Sequence, residues 1–347
     1  MTHPLAQDLD ELLANTQDLW APLCGARLFI TGGTGFFGIW LLESLAWVND
    51  RLGLGASAVV LSRDPRRFAA KAPHLAALPS IRFLTGAVTQ FDFPQGPFTH
   101  IIHAATAASA DMNEHDPLQM SDTIVMGTRR VLDFARHAGV KRLLLTSSGA
   151  VYGRQPRDLS HIPESYCGGP DPTDSHSAYG EGKRMAEWLC AIYTIQYGIE
   201  CLIARCFAFI GPHLPLDAHY AAGNFIRDAL AGGPIRVNGD GTPFRSYLYA
   251  ADLAAWLWSI LLKGTPGRPY NVGSSQGVTI AELAREIAAA CTSSPQVRIS
   301  QEIQPGSPTQ RYVPATDRAR DELGLRATVP LPDAIARTLR WAQLNAA

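Results

Sequence analysis

Three polar side chains in the middle of this 347-residue chain could together take a hydride and a proton from an alcohol. Tyr179 and Lys183 lie four positions apart at the start of a segment with helical spacing, so a helix would place both on one face. A lysine ammonium beside a phenol favours the phenolate, which can accept the proton of a substrate hydroxyl while a hydride leaves the same carbon. Ser148 follows a predicted strand and could bond the reacting oxygen; the plainer interpretation is a serine that caps the strand end.

A glycine-rich turn near the N-terminus predicts where the hydride acceptor would bind. Three glycines separate a short apolar strand from a helix, which is the context in which such a turn binds the pyrophosphate of a dinucleotide. The residues that this turn would bring to the cofactor are Gly32, Gly35, Phe36, Phe37 and Gly38. Tyr179 and Lys183 would lie at the other end of the same cofactor, where the lysine can hold the nicotinamide ribose.

The end of the second predicted strand bears on which dinucleotide binds. NAD calls for an acidic side chain there, which accepts hydrogen bonds from the ribose 2′-hydroxyl. This chain has Ser62 followed by Arg63, with two more arginines one turn later. A small residue beside an arginine suits a 2′-phosphate, so we expect NADP(H), with NAD as the alternative and a plain surface arginine as the bland interpretation.

The elements that must position these residues predict an α/β fold. Short apolar strands alternate with amphipathic helices up to about Phe209, which indicates a doubly wound parallel sheet of the Rossmann type. Proline and glycine then become frequent, and the rest predicts a smaller, mainly helical substrate-binding domain. We expect the dinucleotide-binding domain at residues 25–210 and 246–273, the smaller domain at 211–245 and 274–347, and a helical N-terminal extension at 1–24.

Composition excludes several other classes of function. Hydrophobic residues make up 46% and charged residues 18% of the chain, and the formal net charge is −1, so nothing favours nucleic acid or an anionic membrane as a partner. The six cysteines form no C-x-x-C pair, and we expect them to be reduced, with no metal site. The chain starts without the basic and apolar regions of a signal peptide and has no apolar run of membrane-spanning length, which predicts a cytoplasmic protein.

These motifs make the chain resemble the extended short-chain dehydrogenases/reductases, in particular the NAD-dependent epimerase/dehydratase group that acts on nucleotide-sugars. The resemblance covers nearly the whole chain after about Ala26. The segments that carry it are Thr31–Gly38, His103–Ala105, Ser148–Gly153, Tyr179–Lys183, Arg205–Pro212, Asn224–Ile226, Gly239–Gly241, Arg245–Tyr247, Asp252–Leu253 and Tyr270–Gly273.

The resemblance implies a role for each matching residue. Ser148, Tyr179 and Lys183 would be the catalytic triad, and Ala104 and Ala105 would lie beside the cofactor. The nucleotide diphosphate of the substrate would be bound by Asn224, Arg245 and Arg311. It also implies a homodimer, joined through the two predicted helices Asp122–His137 and Tyr179–Tyr197.

Two small residues decide which reaction we expect. Dehydratases and UDP-glucuronate decarboxylases of this family carry acids just before the Val-Tyr-Gly motif, where this chain has Gly149 and Ala150. Neither can transfer a proton, and small residues there are similar to 4-epimerases. Two other positions depart from the family: Ala208 replaces a substrate-binding asparagine of the 4-epimerases, and Ala87 replaces an aspartate at the adenine.

We therefore expect a nucleotide-sugar oxidoreductase that acts at C4 of the sugar, either as a 4-epimerase or as a 4-ketoreductase (a 4-dehydrogenase in reverse). The alternative is a lyase of the UDP-glucuronate decarboxylase or sugar 4,6-dehydratase type. A non-catalytic NADP(H)-binding sensor is an alternative of another class. An oxidoreductase for a small ketone or steroid would have no use for the diphosphate ligands.

Overall fold

Fourteen strands are present in the part of the chain that the computed structural model describes, residues 3–106, 110–218, 220–304 and 309–345. The strands are β1 (Arg27–Thr31), β2 (Ser57–Ser62), β3 (Ile81–Thr85), β4 (His100–His103), β5 (Arg142–Ser148), β6 (Glu200–Cys206), β7 (Phe209–Ile210), β8 (Ile235–Val237), β9 (Phe244–Ser246), β10 (Leu248–Tyr249), β11 (Pro269–Val272), β12 (Gly277–Thr279), β13 (Val297–Ile299) and β14 (Arg311–Tyr312).

Twelve α-helices are present in the same described ranges, and short 3-10 turns join some of them. The helices are α1 (Ala6–Asn15), α2 (Phe36–Leu52), α3 (Pro65–Lys71), α4 (Pro73–Ala76), α5 (Ala110–His115), α6 (Pro117–His137), α7 (Ala178–Tyr197), α8 (Ala221–Leu230), α9 (Ala250–Lys263), α10 (Ile280–Ala290), α11 (Asp317–Leu323) and α12 (Leu331–Asn345). No helix within these ranges combines the length and apolar composition that crossing a bilayer requires.

The large sheet confirms the predicted Rossmann architecture. Its seven strands run in the order β11-β6-β5-β4-β1-β2-β3, and the pairs from β5 across to β3 are parallel. The chain runs outward from β1 to β2 and β3 and then crosses to β4 on the other side of β1. The switch point therefore lies between β1 and β4, and open α/β sheets bind their ligands there, at the carboxyl ends of the strands. The glycine turn, Ala104 and Ala105 follow strands at this switch point.

Burial explains why the central segments form strands that are apolar throughout. All four residues of β4 and the last four of β1 are buried, since helices cover both faces of the sheet. On one face an aromatic cluster fills the core, with the Phe29 ring centroid 5.3 Å from that of Phe91 and 4.8 Å from that of Phe134. Such rings bury large apolar areas, so this cluster is a main source of stability for the sheet.

The chain divides into two compact units whose bounds differ from the predicted domains. The first unit is Met1–Val151, Gly169–Arg205 and Ala254–Tyr270. The second is Tyr152–Gly168, Cys206–Leu253 and Asn271–Ala347.

Hydrogen bonds explain why the segment Tyr152–Gly168, which follows Val151, belongs to the second unit. The Tyr152 hydroxyl donates to Asn271 Oδ1 at 2.7 Å, and Ile162 N–H donates to Val313 O at 2.9 Å. These bonds attach the segment to the second unit, although the sequence assigned it to the dinucleotide-binding domain.

The second unit also contains three small sheets that the sequence analysis did not predict. Strands β7 and β10 form one, β12, β9 and β14 form another, and β8 and β13 form the third. Each strand has only two or three residues, which is too short for an alternating pattern to be recognised.

Candidate active site

The glycine turn after β1 has the geometry of a phosphate-binding loop. Gly32 has φ +72°, and a Cβ added there would lie 2.4 Å from the carbonyl carbon of Ala104. A Cβ on Gly38 would lie 2.3 Å from Gly32 O, so the turn and helix α2 touch backbone to backbone. A Cβ on Gly35 would meet only Gly32 O, at 3.5 Å.

Gly35 is also the N-cap residue of the 17-residue helix α2, and no side chain caps this helix. The first N–H groups of the helix are therefore presented by Phe36, Phe37 and Gly38 with the positive end of the helix dipole behind them. This arrangement fits the pyrophosphate of a dinucleotide, because the space at Gly35 is open and the positive end of the helix dipole lies beside it.

A buried histidine holds the ends of β1 and β4 together beside this turn. His103 Nδ1 lies 2.7 Å from Thr31 Oγ1, and His103 Nε2 lies 3.1 Å from Thr128 Oγ1. The Ala105 N–H donates to Thr31 Oγ1 at 3.1 Å. Burial, assisted by the charge of Lys183, lowers the pKa of His103 to about 3, which favours a neutral ring that holds Thr31, and through it Ala105, in place.

The end of β2 carries the residues that were predicted to select the dinucleotide. Ser62 is buried and its Oγ accepts a hydrogen bond from the Asp64 N–H at 3.2 Å. Asp64 caps helix α3 by accepting from the Arg67 N–H at 3.0 Å. Arg63 is exposed between them. The carboxylate of Asp64 is thus occupied with a helix N-terminus, as in many N-caps.

Helix α7 and strand β5 bring the three predicted catalytic residues to one region. Lys183 is only 2% exposed, and its Nζ donates to Thr146 O on β5 at 2.7 Å. The same Nζ lies 6.0 Å from the centroid of the Tyr179 ring. Ser148 is the last residue of β5, two positions after Thr146, and is buried. A buried ammonium therefore lies between a partly exposed phenol and the strand that carries the serine.

The first turn of α7 packs tightly against the turn that follows β5. A Cβ on Gly180 would lie 2.9 Å from Ala150 O and 2.6 Å from the Pro170 side chain. Ser148 Oγ accepts a hydrogen bond from the Ala150 N–H at 3.1 Å, so this serine also stabilises the turn, as the plainer interpretation proposed. Gly149 and Ala150 begin a short 3-10 turn and carry no ionisable group.

Asn113, which no sequence motif marks, fixes the start of the helix that carries Tyr179. Its Oδ1 accepts from the Tyr179 N–H at 3.1 Å, and its Nδ2 donates to His176 O at 2.7 Å. Asn113 lies 66 residues before Tyr179, so no local pattern relates the two.

A second network, which no sequence motif indicates, attaches β5 to its neighbours through Ser147, Glu187 and Arg205. Ser147 Oγ donates to Glu187 Oε1 at 2.5 Å, and the Arg205 guanidinium binds the same carboxylate, with Nη2 2.6 Å from Oε2. Charge-assisted bonds of this kind are strong when both partners are largely buried. The network ties β5, α7 and β6 together next to Ser148.

The predicted ligands of the nucleotide all lie in the second unit. Asn224 is on α8, where its Oδ1 accepts from Arg227 at 3.3 Å. Arg245 is on β9 and Arg311 is on the neighbouring parallel strand β14.

The strand register separates these two arginines. Arg311 pairs with Phe244 and lies over its ring at 4.2 Å, whereas Arg245 pairs with Tyr312 and lies over its ring at 5.8 Å. Paired residues share a face and successive residues alternate, so the two arginines leave the sheet on opposite faces. The structure does not show the two guanidinium groups on the same face.

A cavity of about 600 Å³ lies within the second unit, next to Asn224. Its polar lining includes Arg227, Asp228, Arg236 and Asn238, and its apolar lining includes Phe225. This volume is in the range of small-ligand sites, and the two arginines outnumber the single aspartate. The cavity is thus suited to a small anionic ligand.

The chain matches the model of the NAD dependent epimerase/dehydratase family over residues 28–273. UDP-glucuronic acid decarboxylase 3 of Arabidopsis thaliana is 32% identical over 310 residues, which cover 89% of this chain and 86% of that protein. UDP-glucuronic acid decarboxylase 1 of Xenopus tropicalis is 29% identical over 315 residues, 91% of this chain and 72% of that protein.

Solved structures share the fold. DesIV, a dTDP-glucose 4,6-dehydratase of Streptomyces venezuelae with NAD and TYD bound, is 26% identical with a TM-score of 0.76, covering 92% of this chain and 97% of that chain. The UDP-glucose 4-epimerase of Thermotoga maritima is 19% identical with a TM-score of 0.77, covering 92% of this chain and 100% of that chain, and shows the fold alone. With its glycine turn and its tyrosine and lysine on one helix, this chain belongs to the NAD dependent epimerase/dehydratase family of enzymes.

Proposed function

We propose that this enzyme oxidises C4 of a nucleotide-sugar, with Tyr179 as the proton acceptor. The observation that carries the proposal is the buried Lys183 ammonium, held by Thr146 O at 2.7 Å and placed 6.0 Å from the Tyr179 ring. Bound NAD(P) supplies the hydride acceptor and donor. An opposite charge close to a phenol stabilises its ionised form, so Tyr179 can accept the proton of the C4 hydroxyl. Ser148 bonds the same oxygen.

The relatives favour decarboxylation as the outcome. This is the alternative prediction from the sequence, whereas its main prediction is a 4-epimerase or 4-ketoreductase. Two of the relatives quoted above are UDP-glucuronic acid decarboxylases. Oxidation at C4 of a glucuronate places a ketone β to the C6 carboxylate, and such a keto acid loses carbon dioxide as the electrons of the C5–C6 bond move into the carbonyl group. The resulting enolate takes a proton from water at C5, and the hydride held by the reduced nicotinamide would then return to C4 to give the pentose. The loss of carbon dioxide needs no carboxylic acid from the protein, so it is compatible with Gly149 and Ala150. Elimination of a C6 hydroxyl does need one.

The same two small residues favour a second candidate, the 4-epimerase or 4-ketoreductase that the sequence analysis put first. A turn without ionisable side chains leaves space for a 4-keto sugar to rotate and performs no further proton transfer. Both candidates share the first step at Tyr179 and differ only in what happens to the ketone.

Product analysis distinguishes the outcomes. The enzyme is incubated separately with UDP-glucuronate and UDP-glucose in the presence of NAD or NADP. Decarboxylation predicts carbon dioxide and a UDP-pentose from UDP-glucuronate alone. Epimerisation predicts a C4-inverted sugar without carbon dioxide, and ketoreduction predicts net oxidation or reduction of the nicotinamide. Bound dinucleotide without turnover of either sugar would contradict the proposal and favour the non-catalytic sensor.

We propose further that the second unit binds the nucleotide diphosphate through Asn224, Arg245 and Arg311. The cavity supports the role of Asn224, because its volume and its own arginines, Arg227 and Arg236, suit a phosphorylated nucleoside. Arg245 and Arg311 leave their sheet on opposite faces, so each would contact a different side of the bound nucleotide.

Replacing Arg245 by alanine should weaken binding of UDP by at least about tenfold in calorimetry, as expected when a charge-assisted bond is lost. Arg340→Ala, an exposed arginine of the same unit on α12, is the control. Equal UDP affinity of the two variants would count against the diphosphate role.

The residues after β2 lead us to propose NADP(H) as the dinucleotide, with NAD as the alternative. Arg63 is exposed and Asp64 is occupied in capping α3, so the position offers a cation rather than a free acid. NAD is the dinucleotide in the DesIV structure. If NADP(H) is correct, Arg63→Ala weakens binding of NADP and leaves that of NAD unchanged; a wild-type preference for NAD would overturn this choice.

A homodimer through α6 and α7 is the assembly we propose. These two helices pack on each other and expose several large apolar side chains: Leu118, Met126, Met185, Trp188 and Ile195. Trp188 is 58% and Ile195 is 86% exposed, which is unusual for a monomer unless a partner covers them. A second copy would bury this face by two-fold symmetry.

A further inference from the structure

A buried glutamate on α2 brings together two histidines from distant parts of the first unit. Glu43 is only 3% exposed. His74 Nε2, from the short helix α4, lies 2.7 Å from Glu43 Oε1, and His3 Nε2, from the N-terminal extension, lies 3.3 Å from Oε2. The two imidazoles thus contact different oxygens of one carboxylate.

The charge of this carboxylate has to be balanced. The carboxylate lies out of water with both imidazoles against it, at 2.7 Å for His74 and 3.3 Å for His3. An ionised carboxylate inside a protein is costly unless a cation accompanies it. Among the described residues, the ion pairs of Glu43 are those with these two histidines.

We propose that His3, Glu43 and His74 bind a divalent transition-metal ion of the Zn²⁺ class. One ligand atom from each of the three residues lies within 4.8 Å of the other two. Zn²⁺ binds imidazole nitrogen and carboxylate oxygen at about 2.0–2.2 Å, so shifts of about 1 Å per side chain would complete the coordination. His74 is 47% exposed, which leaves access for the ion and for a water as fourth ligand.

Binding requires a change in the proton position on His3. The Leu5 N–H donates to His3 Nδ1 at 3.2 Å, so without metal the proton of the neutral ring is on Nε2, directed toward Glu43. A metal ion on Nε2 moves that proton to Nδ1 and breaks the bond from Leu5. Leu5 is the N-cap residue of α1, so the loss of this bond leaves the hydrogen bonds within the helix in place. The Leu5 amide is consequently a local reporter of metal binding.

The ion would fasten the N-terminal extension to the helix that begins at the glycine turn. Other contacts already dock this extension: Leu5, Leu9 and Leu12 are buried, and Trp47 Nε1 donates to Asp10 Oδ1 at 3.0 Å. The fold should therefore form without metal and become more stable with it, since a ligand that binds only the folded state shifts the equilibrium. This inference does not depend on the proposed reaction.

The test uses the full-length chain without a polyhistidine tag, after removal of metals with a chelator. Zinc chloride is titrated calorimetrically, and thermal unfolding is measured with and without it. We expect one Zn²⁺ per chain and a higher melting temperature. Variants His3→Ala, His74→Ala and Glu43→Gln should each lower the affinity by at least about tenfold, as loss of groups that hold a metal does. His137→Ala, an exposed histidine of α6, should behave as the wild type.

The half-exposed His74 keeps the test informative if Glu43→Gln does not fold, because its replacement disturbs little packing. Two-dimensional NMR gives a second measurement, in which zinc should shift the Leu5 amide in the wild type and not in His74→Ala. Absence of stoichiometric uptake would overturn the proposal and leave a hydrogen-bonded cluster. Uptake that survives in both His3→Ala and His74→Ala would overturn it as well, since the ion would then be bound elsewhere.

Discussion

Lys183 combines two roles that a surface lysine could not. Its buried ammonium donates to a strand carbonyl at 2.7 Å and lies beside the ring of Tyr179. Lys183→Ala should lower kcat by about 10²–10⁴, the usual contribution of positioned acid–base catalysis, because the phenolate loses its nearby charge. Steady-state kinetics with the UDP-sugar that the wild type converts measures kcat, and circular dichroism verifies the fold. Lys141→Ala, at an exposed position, should keep full activity; an equally active Lys183→Ala would contradict the role.

We expect two buried histidines to lower the stability of the protein in mild acid. Burial, with the charge of Arg142, lowers the pKa of His100 to about 4, and that of His103 is about 3. Because the unfolded chain binds these protons first, near pH 6.5, their full contribution is present above that pH and is lost as pH falls toward 3. At pH 5 the loss is about 2 kcal/mol for each histidine.

Urea unfolding at pH 7 and pH 5 measures this pH dependence. His100→Gln removes one of the two groups and should lose correspondingly less stability between these pH values than the wild type does. Equal losses in both proteins would show that His100 titrates normally in the folded state.

At the level of residues, the sequence predicted the side chains that lie in motifs and missed those that support them. Ser148, Tyr179 and Lys183 stand at recognisable spacings, so a local pattern finds them. Asn113 and the Glu187–Arg205 pair act across the fold, where only tertiary structure relates them to the site. The opposite faces of Arg245 and Arg311 depend on a strand register that a two-residue strand does not reveal.

The glycine turn between β1 and α2 predicts different effects for alanine at two of its glycines. Gly38→Ala places a Cβ 2.3 Å from backbone atoms and should destabilise the protein, whereas Gly35→Ala meets one atom at 3.5 Å and should fold normally. If Gly35 faces the pyrophosphate, its alanine variant loses dinucleotide affinity by about tenfold or more while its melting temperature stays unchanged. Fluorescence titration with NADP and NAD, alongside thermal unfolding, separates the effects. Unaltered dinucleotide binding by Gly35→Ala would place the cofactor elsewhere.

The start of helix α7 gives a second prediction about an element of the fold. Asn113→Ala removes the side chain that accepts from the Tyr179 N–H, so the first turn should fray and kcat should fall by about tenfold through misplacement of the phenol. Asn113→Asp keeps an acceptor at the same place and should retain most of the activity. The comparison of kcat and KM for the two variants measures positioning, because a merely structural role would lower stability without separating alanine from aspartate.

Long elements were predictable and short ones were not. The strands of the large sheet and helices α6 and α7 have enough residues for apolar runs or helical spacing to be read. The small sheets of the second unit are held by pairing between segments far apart in the chain, for example Ile235–Val237 with Val297–Ile299. Their residues carry no local signal, so the sequence predicted a mainly helical region there.

For the whole molecule, the exposed face of α6 and α7 predicts association. Trp188→Glu or Ile195→Glu would place a charge in the proposed interface, so analytical ultracentrifugation should show conversion of a dimer into monomers. Leu344→Glu, which replaces a leucine 71% exposed on α12, is the control and should leave the dimer intact. A monomeric wild type, or dimers in all three variants, would exclude this interface.

For the overall reaction, the sequence and the relatives favour different products. Gly149 and Ala150 direct the prediction to C4 epimerisation or ketoreduction, while the named relatives favour decarboxylation. In the proposed reaction both outcomes start from the same C4 ketone, which Ser148, Tyr179 and Lys183 would form, and differ in the step that follows. The family could therefore be predicted from the motifs, but the product could not.

The central claim is that the Tyr179 phenol accepts the proton when C4 is oxidised. Tyr179→Phe removes one oxygen and keeps the ring, so it should bind NAD(P) as the wild type does while product formation from the turned-over UDP-sugar falls by about 10²–10⁴. Measuring both quantities on the same preparation is the most direct test. Wild-type turnover by Tyr179→Phe, with the dinucleotide bound, would contradict the account.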